Sequence, residues 1–137
     1  VGIFQTNSFQ ENIQLSGIPI VETSVKSDHI SFDICLALSL VNEDEKTTKQ
    51  FSTGFLRVKN SKRDEECKCK IAMHPTNISL LKGTKLRLSI SAAAYPAIGI
   101  NSGFGDDKLG APTINHKIIT LSFELNKTFM QLTSFFK

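Results

Sequence analysis

Between residues 30 and 40 every even position is apolar (Ile30, Phe32, Ile34, Leu36, Leu38, Leu40), while the odd positions are Ser31, Asp33, Cys35, Ala37 and Ser39. A period of two sustained over this length predicts a long β-strand with one buried face; a helix would send Leu36 and Leu38 to different sides. The same alternation recurs in Leu86, Leu88 and Ile90, set between Lys85, Arg87 and Ser89, and in Ile119, Leu121, Phe123 and Leu125. These residues are expected to face the even positions of 30–40 across one core, with Cys35 as a small core residue. Residues 50–58 carry apolar side chains on both faces (Phe51, Phe55, Leu56, Val58), which predicts a central strand.

Shorter strands are expected at residues 3–4, 13–15, 18–25 and 78–81. In 18–25 the apolar parity changes between Ile20 and Val21, as a β-bulge would require. Turn signals fall at Ser16-Gly17, at residues 42–49, at Lys82-Gly83 and at residues 101–110. About eight short strands separated by Gly and polar turns, with no helical pattern of ~10 residues or more, predict an all-β chain, a β-sandwich of the jelly-roll type. Two stretches read as irregular. Residues 59–70 are charged with mixed sign, which suits a solvated excursion between sheets. Residues 99–112 hold Gly99, Gly103, Gly105 and Gly110, which suits a mobile loop.

Composition narrows the function classes. The length of 137 residues suits one domain, residues 1–137. The net charge of +3 is spread along the chain, without the clustered basic face of a nucleic-acid binder. No apolar run approaches the ~18 residues of a membrane helix, and no charged-then-apolar leader opens the chain. The chain opens on Val1, which fits an excised domain or a processed chain. The three cysteines, Cys35, Cys67 and Cys69, are an odd count. That argues against a purely internal disulfide framework and leans towards a reducing, cytoplasmic compartment, which the sequence does not otherwise fix. Ten Phe with one Tyr and no Trp favour a packed core over a sugar-stacking surface.

Candidate chemistry is sparse. A nucleophile elbow needs Gly-x-Ser-x-Gly in a strand–turn–helix. In Gly99-Ile100-Asn101-Ser102-Gly103 the serine comes one place late. Gly103-Phe104-Gly105 lacks the third Gly of a phosphate loop, since position 108 is Lys. Cys67, Cys69 and His74 offer soft metal ligands without the spacing or the fourth ligand of a zinc site, and read as a solvent-facing thiol pair in a loop. Asp106 and Asp107 could meet calcium, but Lys108 beside them opposes a cation. His29 and His116 are remote in sequence and read as structural. Asn77-Ile78-Ser79 and Asn126-Lys127-Thr128 match a glycosylation sequon, which matters only in a secreted chain. No catalytic, cofactor-binding or metal-ligating residue is predicted, and no cofactor.

Residues 82–101, KGTKLRLSISAAAYPAIGIN, resemble a signature of the C-terminal β-domain of X-prolyl dipeptidyl peptidases and cocaine-esterase-type hydrolases. The resemblance extends over almost the whole chain. It takes in residues 12–25, the strand from Asp33 to Leu40, the return Ser52-Thr53-Gly54-Phe55-Leu56-Arg57, the Pro96 and Asn101 pair, and residues 115–125 around Ser122 and Leu125. There are departures. The hairpin loop 42–49 lacks the family's Asp-Gly turn, Gly83-Thr84-Lys85-Leu86-Arg87 lacks its His, and the cysteines of 59–70 fall outside the pattern. The resemblance implies a galactose-binding-domain-like jelly roll that is the non-catalytic C-terminal accessory domain of a serine hydrolase of dipeptidyl-peptidase or esterase type. It would pack on the α/β-hydrolase domain of the same parent chain and help wall the substrate cleft. The catalytic residues lie in that other domain, so none carries over. A free-standing carbohydrate- or ligand-binding module on the same fold is the alternative. The crowding of Phe129, Leu132, Phe135 and Phe136 near the C-terminus leaves a homo-oligomer open, against a second reading in which these residues close the chain's own core.

Overall fold

The computed structural model describes residues 1–105, 116–132 and 134–136, the last three by their backbone. The chain forms strands β1 (Gly2–Gln5), β2 (Ile13–Gly17), β3 (Ile20–Ser27), β4 (Phe32–Val41), β5 (Thr48–Val58), β6 (Cys67–Ala72), β7 (Thr76–Leu80), β8 (Lys85–Ser91), β9 (Leu121–Phe123), β10 (Phe129–Gln131) and β11 (Ser134–Phe136). All pairings are antiparallel. One sheet runs β1-β8-β4-β5. Opposite it stand β10-β3-β6, with β9 also on β3, and β11-β2-β7. The inner faces share one apolar cluster, so the chain is a β-sandwich.

Strand β4 is the spine. Its residues Phe32, Ile34, Leu36 and Leu38 are each no more than 2% exposed. Residues directly opposite one another share a face. Leu36 therefore stands beside Ile90 and Gly54, and Leu38 beside Leu88 and Ser52. Leu86, Leu88 and Ile90 are thus lateral neighbours in the same sheet and do not face β4. The residues that do face it come from the other layer: Leu15, Val21, Val25, Ile71 and Leu80. Leu121 and Phe123 join the core from its margin. Burying each large aliphatic or Phe side chain stabilises the fold by about 1.5–3 kcal/mol, so β4 alone anchors much of it.

Several expectations are corrected. There are eleven strands among the described residues, because the short β9, β10 and β11 carry too few residues to show a period. β3 pairs with β6 without a register break from Ile20 to Val25. The parity change is the end of the strand, since Ile18 precedes it and is exposed. The irregularity lies in the β4–β5 hairpin, where the register shifts between Leu38 and Ser39 and Phe51 is the extra residue. β5 is an edge strand in the hydrogen-bonded order, not a central one. Its two faces meet different neighbours: Phe55 stands beside Cys35 on the outward face, while Gly54, beside Leu36, looks inward. Gly54 admits the chain around Met73, whose Cγ would sit 3.0 Å from a Cβ there. The Met73–His74 segment also donates a backbone bond to Thr53.

The strand expected at 119–125 shrinks to Leu121–Phe123 and gives way to a 3-10 turn, Leu125–Lys127. That turn steps the chain along the edge of β3, from Val25–Ser27 with β9 to Ile20–Glu22 with β10. The backbone of the C-terminal segment then pairs with β3 and β2, which favours its belonging to the chain's own second layer.

Leu36→Ala is expected to lower unfolding stability by about 2–5 kcal/mol through lost transfer energy and a cavity. Ser39→Ala, on the other face, is expected to cost less than about 1 kcal/mol. Denaturant melts of the two variants compare them directly; equal losses would show the inner face to be misassigned.

Candidate functional site

The outward face of β4 is unusual because it is also buried. Asp33 is 2% exposed, and Cys35 and Ser39 are buried with it. A carboxylate is scarcely ever buried without a partner. The register supplies one by setting Arg57 of β5 directly opposite Asp33. The guanidinium donates twice, Nε to Oδ1 and Nη2 to Oδ2, both at 2.8 Å. This fork-on-fork geometry is the strongest an ion pair adopts.

The remaining donors and acceptors come from the chain after β8. Arg57 Nη2 also donates to the Gly99 carbonyl at 2.6 Å. Asn101 Nδ2 donates to Asp33 Oδ1 at 2.9 Å. Asn101 Oδ1 accepts from Ser31 Oγ at 3.1 Å and from the Gly103 amide at 2.9 Å. The segment from 92 to 103 is thereby latched over the outward face of the first sheet.

Between the latched segment and the sheet lies a hollow of about 270 Å³. Its floor is small side chains, Cys35, Ala37, Ser89 and Ser91, and its walls include Phe55 and Tyr95. Ile3 of β1 pairs with Ser89 and continues the same face at 60% exposure, while Tyr95 is 73% exposed. Cys35 therefore belongs to this face and not to the apolar core. Burial, and next the Asp33 charge, push its thiol up to about 11, so it stays protonated at neutral pH and is no nucleophile.

A second concavity of about 430 Å³ lies along β3 and β6, lined among others by Glu22, Ser24, Lys68, Lys70, Lys127 and Phe129. Its charges are largely matched. Lys70 pairs with Glu22 at 2.9 Å, and Glu66 accepts from Ser24 Oγ at 2.6 Å and from Lys127 Nζ at 2.8 and 3.0 Å. The Lys127 hydrogen bond, and next that of Ser24, hold the Glu66 carboxyl below the usual range, and Glu66 raises Lys127 in return.

The residues singled out by sequence do not converge. Ser102 is buried in the latched segment, where its Oγ accepts from the Phe104 amide at 3.3 Å; no strand–turn–helix surrounds it. The Lys117 ammonium lies over one face of the exposed Phe104 ring, 5.7 Å from the centroid. His29 pairs through Nδ1 with Asp28 at 2.7 Å, and Asp28 also accepts from the Thr120 amide. The His29 bond, followed by that of Thr120, lowers the Asp28 carboxyl. His74 turns to Thr53, with Nδ1 2.9 Å from its Oγ1, and does not join the cysteines. Cys67 and Cys69 lie in β6 and not in a loop, and Cys69 is in the core. Asn77 lies within β7 and Asn126 in the 3-10 turn. Asp106, Asp107, Lys108 and Gly110 fall outside the described residues. Among the described residues no three His, Cys, Asp or Glu side chains cluster as a metal site.

The latch was the feature hardest to read from sequence. Its one signal was Asp33 itself, an acid in the middle of an otherwise uncharged alternating strand. Arg57→Leu strands the Asp33 carboxylate. It is expected to destabilise by about 2–4 kcal/mol, the low side of the range for breaking a buried pair because the guanidinium is 30% exposed. Asn101→Ala leaves the ion pair and is expected to cost about 1–2 kcal/mol. Thermal and denaturant melts measure both, and faster thermolysin cleavage before Ile98 or Ile100 in each variant would report the freed segment.

The sequence matches, over residues 1–125, the family described as the X-Pro dipeptidyl-peptidase C-terminal non-catalytic domain. No curated protein matches it in sequence. Among solved structures it is similar to an aminopeptidase from the marine sediment archaeon Thaumarchaeota archaeon, with TM-score 0.85 and 14% identity over 97% of this chain and 25% of that one. It is also similar to an α-amino acid ester hydrolase, with TM-score 0.83 and 13% identity over 95% of this chain and 25% of the other. A CocE/NonD family hydrolase from Staphylococcus aureus shares the fold at TM-score 0.65 and 13% identity, over 95% of this chain and 30% of its own. The chain thus spans 25–30% of the length of these structures, and at such identities the likeness is one of fold. With the family pattern running from Val1 through Leu125, the chain belongs to the X-Pro dipeptidyl-peptidase C-terminal non-catalytic domain family.

Proposed function

We propose that residues 1–137 act as one accessory domain of a larger serine hydrolase of X-Pro dipeptidyl-peptidase or acyl-esterase type, packing on its α/β-hydrolase domain and helping to wall the substrate cleft. Family membership carries this reading. The surface that suits the packing is the outward face of the β1-β8-β4-β5 sheet. It offers a shallow hollow floored by small side chains and walled by Phe55 and Tyr95, with Ile3 exposed beside Ser89 on the same face. A hollow of this kind receives a protruding apolar side chain with little desolvation cost. The latch keeps the segment at 92–103 in one position, so the wall of the hollow is ready before any partner arrives.

The alternative, a free-standing carbohydrate-binding module, has the larger concavity in its favour. Against it, two lysines of that concavity are already ion-paired, and the Phe104 ring already carries the Lys117 ammonium on one face.

The isolated chain is expected to turn over neither X-Pro-amide nor acyl-ester chromogenic substrates. Activity that copurifies with it and is lost in Ser102→Ala would overturn the non-catalytic assignment. In the full-length polypeptide, Ala37→Trp fills the hollow. It is expected to raise KM and to speed proteolytic separation of the domain, with circular dichroism of the isolated chain checking that the fold is retained. Unchanged kinetics and unchanged proteolysis would rule out this face as the packing surface.

A further inference from the structure

We propose that Cys67 and Cys69 form a two-thiolate site for a soft monovalent metal cation of the Cu(I) class. The inference is independent of the accessory-domain reading and starts from the fold. Placing Cys67 and Cys69 in β6, opposite Val25 and Thr23, sends both side chains to the inward face of one strand. Both are free thiols, and their sulfurs lie 3.7 Å apart.

Two residues on one face of an extended strand have Cα atoms about 6.6–6.8 Å apart. That is the upper edge of what a disulfide spans, so a direct S–S bond would require β6 to give. A single bridging atom requires no such movement. With metal–thiolate bonds of about 2.3 Å, the 3.7 Å gap subtends an angle of about 107° at the metal. Two soft ligands without a third His, Cys, Asp or Glu nearby among the described residues do not make a zinc site. They suit Cu(I), which takes soft thiolate sulfur.

Binding exchanges two thiol protons for one cation: two S–H bonds break, two S–Cu bonds form, and both protons pass to solvent. The site is left with one negative charge instead of the two of a bare dithiolate. Cys67, half-buried at the start of β6, is the way in.

The reduced chain, titrated with Cu(I) under anaerobic conditions against bicinchoninate, should withdraw one Cu(I) per chain from the competitor. The bound metal should slow iodoacetamide alkylation of Cys67. Cys67→Ser and Cys69→Ser should each weaken uptake by at least about tenfold, as the loss of a direct ligand must exceed that of an outer partner. Cys35→Ala should leave it unchanged. If circular dichroism shows Cys69→Ser to be unfolded, Cys67→Ser and the alkylation rate of the unmutated chain decide the question. Failure to withdraw Cu(I), uptake that survives Cys67→Ser, or uptake that is lost with Cys35 would each overturn the proposal.

Discussion

Asp33 is a carboxylate in the middle of the longest apolar run of the chain, and it is buried. Leaving it unpaired would cost several kcal/mol, and much of the molecule is arranged so that this does not happen. The β4–β5 register sets Arg57 opposite it. A shift of one residue between those strands would separate the pair and also turn the apolar set of β5 away from the core. One register therefore satisfies both the ion pair and the core. Asn101 and the Gly99 carbonyl complete the hydrogen bonding of the pair, and in doing so hold the chain after β8 across the sheet.

That arrangement gives β4 two buried faces of different character. The inner one is aliphatic and closes the sandwich. The outer one is small and polar, covered by the latched segment along part of its length and open at the hollow beside it. One strand thus carries an aliphatic face and a polar, ion-paired one. The motifs that resemble the family, Asp33, Arg57, Pro96 and Asn101, gather on the outer side. Their order along the sequence is explained by the network they build.

The cysteines show how a local reading changes once strands pair. Cys35 lies in an apolar run and looks like core, yet it faces away from the core cluster. Cys67 and Cys69 lie in a charged run and look like loop, yet they pack inward against β3. In the first case the strand is buried on both faces. In the second, lysines on one face and sulfurs on the other make an alternating strand whose apolar members are small and weakly hydrophobic.

The sequence by itself determined what depends on near neighbours. Strict alternation specified β4 and β8, Gly83 at φ +87° with its neighbours specified the turn before β8, and Pro96 marked the chain leaving the sheet. It also excluded a nucleophile elbow, because that geometry is a short local motif. Tertiary structure alone decided which strands stand at edges, where the bulge falls, and that β9 and β10 divide one edge of β3 between them. It alone brought Asp33, Arg57 and Asn101 together across separations of 24 and 68 residues. The physical reason is that periodicity records which face of a strand is dry but not what dries it. A paired charge and a partner strand are contributed by distant chain, and local pattern carries no trace of how far away they lie.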